Sequence, residues 1–245
     1  MDKIDLSIVI PAYNEASRIG ATFESLERHF ARTKMSHEII VVDDGSSDTT
    51  CAVVASYAPR FKHFRLLENK LNKGKGFSVR RGMLEAQGAY RLFMDADNSV
   101  DISHIDEFLR HASVYPDVVI GSIMLKQATV HEHSGWHRRI LGYFSKLLIR
   151  VCATPGIYDT QRGFKLFSAK AAQSIFLRQT IKRFGFDIEI LLIARLMGFS
   201  VKELPVTWDN PAGSTVTIKS YFQTLYELAH IVYNRMIGTY NDRKA

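Results

Sequence analysis

Asp95 and Asp97 form an acidic pair, separated by one residue, directly after the apolar segment 90–94. Two carboxylates at the end of a strand can bind a divalent cation together, and hard oxygen ligands favour Mg²⁺ or Mn²⁺. Mg²⁺ usually completes its coordination shell with substrate phosphates and water. A solvated turn with two acids is the alternative interpretation, and this motif on its own does not decide between them.

A second acidic pair, Asp43 and Asp44, follows the apolar segment 38–42. One of these carboxylates is a candidate acceptor for the imide N–H of a base or for a ribose hydroxyl. At least one of the two is expected to act as a turn or N-cap residue, because Gly-Ser-Ser follows the pair.

The first apolar segment, 6–10, runs into Pro11-Ala-Tyr-Asn-Glu15. A dinucleotide-binding fold would carry a glycine-rich fingerprint at this point, so its absence argues against NAD or FAD as a cofactor. Tyr13 is instead a candidate for lining a planar base.

The segment Asn72-Lys-Gly-Lys-Gly76 combines glycines with basic residues ahead of a predicted helix that contains Arg80 and Arg81. Glycines let the backbone approach a ligand closely, and the N-terminus of a helix favours anions. Lys75 is the candidate phosphate ligand. The spacing is not that of a P-loop, and a solvated basic loop is an equal alternative.

These motifs lie in a first half that alternates between strand and helix patterns. Short apolar runs predict strands, and apolar residues at spacings of three and four predict helices. This alternation indicates an α/β fold with an open, mostly parallel sheet flanked by helices, whose ligands bind at the carboxyl ends of the strands. Strands are predicted at 6–10, 38–42, 64–67, 90–94 and 118–121, and helices at 16–29, 49–58, 76–86 and 104–111.

The second half is less regular. A polar loop is predicted at 126–135, and the histidines in and after it are interpreted as solvated rather than as a metal site: His131, His133 and His137. The segment Trp136 to Cys152 is amphipathic with a basic border, which fits either a membrane interface or packing on a core. A helix is predicted at 186–197 and a strand at 201–206, and the final helix at 221–236 has the same ambiguity.

The composition is that of a globular protein. The 245 residues are 46% hydrophobic and 23% charged, and the chain is interpreted as one domain, 1–245. The two cysteines match no zinc or redox spacing and suggest a reducing compartment. Neither a transmembrane anchor nor a secretory signal is expected. The formal charge of +7 favours anionic partners, but no basic surface with aromatic platforms is apparent, so nucleic acid is not expected.

Taken together, the motifs resemble the family 2 glycosyltransferases with the GT-A fold. The segments that carry this resemblance occur in the family's order and spacing: 8–15, 41–48, 72–76 and 93–97. Further along, 159–167 is similar to a motif of polyprenyl-phosphate sugar transferases. The segments 186–192 and 203–208 are most similar to the dolichyl-phosphate glucosyltransferase branch.

The resemblance implies inverting transfer of a hexose from a nucleotide diphosphate sugar to a polyprenyl phosphate such as dolichyl or undecaprenyl phosphate. UDP-glucose is the favoured donor, with GDP-mannose as the alternative, and Mg²⁺ or Mn²⁺ is the implied metal. Asp97 would be the principal metal ligand, and Asp95 would assist it and line the donor site with Ala96. The residues implied at the nucleoside are Pro11, Tyr13, Glu15 and Asp44.

The segment 159–167 is expected to form the reaction centre. Asp159 is the candidate for shaping it, and the candidates for binding acceptor phosphate or sugar hydroxyls are Gln161, Arg162 and Lys165. A plain strand with Lys165 directed outward is the alternative. Asp187 and Glu189 are expected either to bind sugar hydroxyls or to have a capping role.

The chain departs from the family at Ile123, where many relatives have arginine, and at Thr215, where they have lysine. Lys126 is a candidate replacement for the missing arginine. Residues 1–121 are expected to bind the nucleotide sugar, and 122–245 the acceptor and the anionic cytoplasmic face of a membrane, peripherally. The alternatives are transfer to a sugar or glycan hydroxyl and a noncatalytic nucleotide-sugar-binding protein.

Overall fold

The computed structural model describes residues 3–115, 117–131, 147–209 and 218–241. Within these residues, seven strands form the main sheet and two short strands form a separate pair. The main sheet contains β1 (Leu6–Ala12), β2 (His37–Asp43), β3 (Phe64–Glu68), β4 (Tyr90–Met94), β5 (Val118–Ser122), β7 (Phe164–Ser168) and β8 (Val201–Pro205). The pair consists of β6 (Thr129–His131) and β9 (Thr207–Asp209).

The strand order of the main sheet is β3-β2-β1-β4-β7-β5-β8. All neighbours are parallel except that β7 runs antiparallel to both β4 and β5. Strands β1 and β5 are buried along their whole length, as expected for central strands that helices cover on both faces. The prediction of a mostly parallel α/β sheet is therefore confirmed.

Helices cover both faces of this sheet. In β1, Val9 packs into one hydrophobic cluster, whereas Ile8 and Ile10 pack into another, because successive side chains of a strand point to opposite faces. The helices are α1 (Ile19–Phe30), α2 (Thr50–Tyr57), α3 (Lys75–Glu85), α4 (Ile105–Ala112), α5 (Ala169–Arg178), α6 (Phe186–Leu196) and α7 (Ile218–Met236). Residues 147–152 are also helical.

Three elements differ from the prediction. Helix α5 was not predicted; it is capped by Ser168, whose Oγ accepts a hydrogen bond from the backbone N–H of Ala171. Strand β6 lies within the segment predicted as a polar loop, and β9 was not predicted. Each has only three residues, which is too short for a periodic pattern, and each forms by pairing with the other.

Several predictions fall on residues that lie outside the described part of the chain. They concern His133, His137, the portion 136–146 of the amphipathic segment, and Thr215. In the described part, Cys51 and Cys152 are free thiols. Among the helices that the structure describes, none combines the length and apolarity that spanning a bilayer requires.

Candidate functional site

The site forms where β1, β2 and β4 end at the same edge of the sheet. Ala12 pairs with Asp43, and Val9 pairs with Phe93, so the segments after these three strands emerge side by side. The backbone N–H of Asp44 donates to the carbonyl of Ala12 at 2.8 Å, which joins the first two of these segments. The structure therefore brings the predicted base-binding and metal-binding motifs to one edge.

Asp44 fixes the glycine-rich segment ahead of α3. Its Oδ1 accepts hydrogen bonds from Asn69 Nδ2 at 2.9 Å and from the backbone N–H of Lys73 at 3.0 Å. Its Oδ2 accepts from the backbone N–H of Gly74 at 2.7 Å. Gly74 has a φ of 101°, a conformation that favours glycine. The buried Asp44 carboxylate thus orders the segment that delivers Lys75 to the site.

Asp43 has the turn role that the sequence predicted for one of the two acids. Its Oδ2 accepts hydrogen bonds at 3.0 Å from the backbone N–H groups of Gly45 and Ser46.

Burial, together with the charges of Asp43 and Glu68, raises the pKa of the nearby Cys51 thiol to about 12. Cys51 is therefore protonated at neutral pH and unsuited to act as a nucleophile.

Glu15 is tied to the metal-binding motif through Arg18. The guanidinium of Arg18 donates to both carboxylate oxygens of Glu15, at 2.8 and 2.6 Å. Its Nη1 also lies 3.8 Å from Asp97 Oδ2. Burial raises the pKa of Glu15, and Arg18 offsets part of that effect. Arg18 was not singled out from the sequence, although an arginine three residues after Glu15, near the start of the helix predicted at 16–29, was an available signal.

The segment Asp95-Ala-Asp97 is held by hydrogen bonds from neighbouring residues. The hydroxyl of Thr22 on α1 donates to the carbonyl of Ala96 at 2.6 Å. The backbone N–H of Ser99 donates to Asp97 Oδ1 at 3.0 Å. Ala96 is buried, whereas the carboxylates of Asp95 and Asp97 are partly exposed. The loop therefore presents two acids to solvent from a fixed backbone.

These two carboxylates fit a divalent cation whose remaining ligands come from phosphate and water. Among the described residues, no cluster of three or more His, Cys, Asp or Glu side chains is arranged to hold a metal ion. Mg²⁺ and Mn²⁺ suit such an incomplete site, because they are commonly bound through one or two protein carboxylates and the substrate's phosphates.

Lys75, the first residue of α3, forms an ion pair with Asp95. Its Nζ lies 2.6 Å from Asp95 Oδ1 and 5.3 Å from the centre of the Phe93 ring. Burial lowers the pKa of Lys75, but the charges of Asp95, Asp187 and Asp97 outweigh that effect and raise it overall. Lys75 is therefore a cation at neutral pH, and it lies at the N-terminus of a helix, where anions are favoured.

Gly163 leaves the space that the Asp95 carboxylate occupies. The backbone N–H of Asp95 donates to the carbonyl of Gly163 at 3.0 Å. A Cβ atom at position 163 would overlap the Asp95 carboxylate. Gly163→Ala is expected to displace this carboxylate and weaken Mn²⁺ binding by roughly tenfold or more, as disturbed support of a metal ligand does. Titration followed by electron paramagnetic resonance measures this, and unchanged affinity would contradict the placement of Asp95.

Lys165 and Asp187 form a buried ion pair beneath this site. Lys165 lies in β7, opposite Phe93 of β4, and is fully buried. Its Nζ lies 2.5 Å from Asp187 Oδ1 and also donates to the carbonyl of Arg162. Burial raises the pKa of Asp187, and the charges of Lys165 and Lys75 oppose that effect. The strand interpretation of this segment is confirmed, but an outward direction for Lys165 is wrong.

Glu189 has a structural role in the part of the chain that the structure describes. It is fully buried, and its carboxylate accepts hydrogen bonds from the backbone N–H groups of Thr180 and Ile181 and from Tyr240 Oη. Burial raises the pKa of Glu189, and these hydrogen bonds counteract part of the rise. It therefore holds the segment that precedes α6.

Asp159 shapes the segment opposite the metal-binding motif. Its buried Oδ2 accepts hydrogen bonds at 3.1 Å from the backbone N–H of Ile123 and from Arg162 Nε. The Arg162 guanidinium also lies over the Trp208 ring, 4.5 Å from its centre. Gln161 is exposed. Arg162 and the backbone of Ile123 therefore share Asp159 as their hydrogen-bond partner.

Glu203 supports the same segment and was not predicted as a site residue. Its carboxylate accepts hydrogen bonds at 2.8 Å from the backbone N–H groups of Tyr158 and Asp159. The available signal was an acidic side chain inside a short strand, where apolar residues are usual. Lys126, the predicted replacement for the arginine, is exposed.

The chain matches known glycosyltransferases in sequence. The family model described as Glycosyl transferase family 2 matches residues 7–176. A dolichyl-phosphate beta-glucosyltransferase from Trichomonas vaginalis is 35% identical over 256 residues, covering 99% of this chain and 78% of that protein. The dolichyl-phosphate beta-glucosyltransferase of Homo sapiens is 31% identical over 250 residues, covering 96% of this chain and 77% of that protein.

Solved structures share the fold at much lower sequence identity. Mannosyl-3-phosphoglycerate synthase from Rubrobacter xylanophilus matches with a TM-score of 0.69 at 16% identity, covering 99% of this chain and 77% of that chain. A second match is glucosyl-3-phosphoglycerate synthase from Mycobacterium tuberculosis, solved in complex with Mn²⁺, UDP-glucose and phosphoglyceric acid. It has a TM-score of 0.68 at 14% identity, covering 94% of this chain and 80% of that chain. These likenesses confirm the predicted GT-A fold. By its motifs, its sheet and its sequence matches, the chain belongs to glycosyl transferase family 2.

Proposed function

We propose that this protein transfers glucose from UDP-glucose to a polyprenyl phosphate, with inversion at the anomeric carbon. The observation that carries the proposal is the convergence of Asp44, Lys75, Asp95 and Asp97 at one edge of the sheet. The relatives that are 30–35% identical over nearly the whole chain are dolichyl-phosphate beta-glucosyltransferases, which supports glucose as the sugar and a lipid phosphate as the acceptor.

Residues 1–121 bind the donor in this proposal. The nucleoside lies against the loops after β1 and β2, at Pro11, Tyr13 and Glu15, and Asp44 holds the adjoining segment at Lys73 and Gly74 in place. The donor diphosphate lies near Lys75 and the N-terminus of α3, beside Asp95, Ala96 and Asp97. A divalent cation held by Asp95 and Asp97 would neutralise the charge of the leaving diphosphate. The neighbour from Mycobacterium tuberculosis, solved with Mn²⁺ and UDP-glucose, supports this donor and metal.

The acceptor phosphate needs little activation. The second pKa of a phosphate monoester lies near 6, so its oxygen is already ionised at neutral pH. A general base is therefore unnecessary, which agrees with the role of Asp159: one of its oxygens already accepts from both Ile123 and Arg162. Asp159 acts as a positioning residue, and the reaction depends on orientation and on charge stabilisation.

Arg162 binds the acceptor phosphate in this proposal. Its Nε is held by Asp159 and its plane by Trp208. Its terminal amino groups have no hydrogen-bond partner within the described residues, and two such donors match a phosphate group. Gln161, which is exposed next to Arg162, is the candidate ligand for sugar hydroxyls. Lys165 donates to the carbonyl of Arg162 and so fixes the backbone from which Arg162 and Gln161 extend.

A face of α7 is suited to peripheral contact with a membrane. One side of the helix packs on the core through Leu228 and Ile231. The other side exposes Tyr226, which is 72% exposed, Tyr233, and Met236, which is 79% exposed. These three side chains share a helical face at spacings of seven and three residues. We call them the α7 face, and we assign it to the interfacial region of an anionic membrane on the cytoplasmic side, where the lipid acceptor is embedded.

Charged substitutions on the α7 face are expected to weaken membrane binding. The double change Tyr226→Glu and Met236→Glu should lower binding to phosphatidylserine-containing vesicles by roughly tenfold, because it replaces apolar contacts and adds negative charge. Cosedimentation measures this effect. The double change Val114→Glu and Tyr115→Glu is the matched control, since these side chains are 86% and 71% exposed but lie after α4. Equal binding by the α7 variant and the control would contradict this assignment.

The proposed reaction is tested by incubating the protein with Mn²⁺, a polyprenyl phosphate and either UDP-glucose or GDP-mannose, and by measuring release of the free nucleotide. We expect fast release from UDP-glucose only when the lipid phosphate is present. Equal release without the lipid would contradict the acceptor, and lipid-dependent release from GDP-mannose alone would contradict the donor.

A further inference from the structure

The Asp95 carboxylate, which is assigned to the metal, is already paired with the ammonium group of Lys75. Lys75 Nζ lies 2.6 Å from Asp95 Oδ1, within strong hydrogen-bond distance. Both side chains remain accessible, with 23% of Lys75 and 26% of Asp95 exposed. A divalent ion that approaches Asp95 from solvent therefore competes with an ammonium group of the protein itself.

We propose that Lys75 is an exchangeable counter-ion: it neutralises Asp95 in the empty site, leaves Asp95 when a divalent cation binds there, and moves to the donor diphosphate. The inference rests on the proposed function, since it assumes that a metal and a nucleotide diphosphate bind at this edge of the sheet. The new element is that Lys75 couples the binding of the divalent cation to the binding of the donor diphosphate.

The exchange follows from charge. Two cations on the same carboxylate repel each other strongly at distances of a few ångströms. The backbone at the start of α3 is fixed by the hydrogen bond from Gly74 to Asp44, but the four-carbon stem of lysine lets the ammonium move while the backbone stays in place.

The displaced ammonium of Lys75 moves to the donor diphosphate because the neighbouring acid, Asp187, is already paired with Lys165. After Asp95, Asp187 is the carboxylate whose charge most raises the pKa of Lys75. Its Oδ1 is already bound to Lys165 at 2.5 Å. The donor diphosphate would supply new anionic oxygens at the N-terminus of α3, where Lys75 begins the helix. Lys75 therefore weakens the binding of the metal when no diphosphate is present. Once the metal is bound, Lys75 strengthens the binding of the diphosphate.

This arrangement makes the affinities of metal and nucleotide depend on each other. Binding of UDP gives Lys75 a new partner and lowers the cost of metal binding at Asp95. Because coupling between two ligands is reciprocal, the metal must raise the affinity for UDP by the same factor. Removing the ammonium should therefore change the two affinities in opposite directions.

The test measures Mn²⁺ binding by electron paramagnetic resonance, with and without UDP, in the wild-type protein and in Lys75→Met. We expect the variant to bind Mn²⁺ alone roughly tenfold more tightly, and to bind UDP in the presence of Mn²⁺ roughly tenfold more weakly. Lys70→Met is the matched control, since Lys70 is exposed and its replacement removes the same charge. Lys75→Arg retains a cation and should bind Mn²⁺ alone as weakly as the wild type does.

Mn²⁺ binding that is no tighter in Lys75→Met than in the wild type would overturn the exchange, provided that the melting temperature shows a folded variant. Should Lys75→Met fail to fold, Lys75→Gln replaces it with the same expectation. Absence of Mn²⁺ binding to the wild type even with UDP would overturn the proposed metal site as well. The first result leaves the proposed function standing, and the second does not.

Discussion

Asp97→Asn is expected to abolish glucose transfer while the protein stays folded. The substitution removes the carboxylate charge that would hold the divalent cation, but the amide oxygen can still accept the hydrogen bond from the backbone N–H of Ser99. Loss of metal-based stabilisation of the leaving diphosphate amounts to several kcal/mol, so transfer should fall by at least about a hundredfold. The assay is lipid-dependent release of UDP from UDP-glucose.

Asp106→Asn is the matched control for this prediction. Asp106 lies on α4, its side chain is largely exposed, and its carboxylate is near His29 rather than the site. It should retain wild-type transfer. Full activity in Asp97→Asn would show that Asp97 is not a metal ligand, and equal losses in both variants would point to a general effect of removing an acid.

Breaking the buried pair of Lys165 and Asp187 is expected to have the largest effect on stability. Lys165→Met leaves the Asp187 carboxylate buried without its 2.5 Å partner, and Asp187→Leu leaves the ammonium of Lys165 buried in the same way. Each single change should lower the free energy of unfolding by about 3–5 kcal/mol. Urea denaturation followed by circular dichroism measures it.

The double variant distinguishes the loss of the ion pair from general damage to the core. Lys165→Met with Asp187→Leu removes both charges, so it should lose much less stability than the sum of the single losses. Glu27→Gln, which breaks the exposed pair with Arg60, should cost less than about 1 kcal/mol. Additive losses in the double variant would contradict a coupled buried pair.

The sequence was sufficient for the features that depend on local patterns. The apolar runs before Asp43 and Asp95 are long enough to indicate buried strands, and parallel strands bring their carboxyl ends to one edge. The turn role of one acid in the Asp43 pair also followed, because glycine and serine after it favour a turn.

The contacts between distant segments could not be read from the sequence. Lys165 was interpreted from its own strand, yet its partner Asp187 lies 22 positions away at the start of α6, and only the tertiary fold brings the two side chains together. The ion pair of Lys75 with Asp95 depends in the same way on how α3 and β4 meet. A sequence shows which groups are charged, whereas burial decides which charges must pair.

The support of the reaction centre was missed for the same reason. Glu203 receives two backbone N–H groups from residues more than forty positions earlier, which no local pattern encodes. Arg162 was a candidate ligand, but its position beside Ile123 became apparent only through the shared contact with Asp159.

The most direct test of the proposed activity is mass spectrometry of the lipid after incubation with UDP-glucose, Mn²⁺ and a polyprenyl phosphate, combined with nuclear magnetic resonance of the anomeric carbon. We expect one hexose attached to the lipid phosphate in the β configuration. An unmodified lipid accompanied by free glucose, or a product with the α configuration, would contradict it.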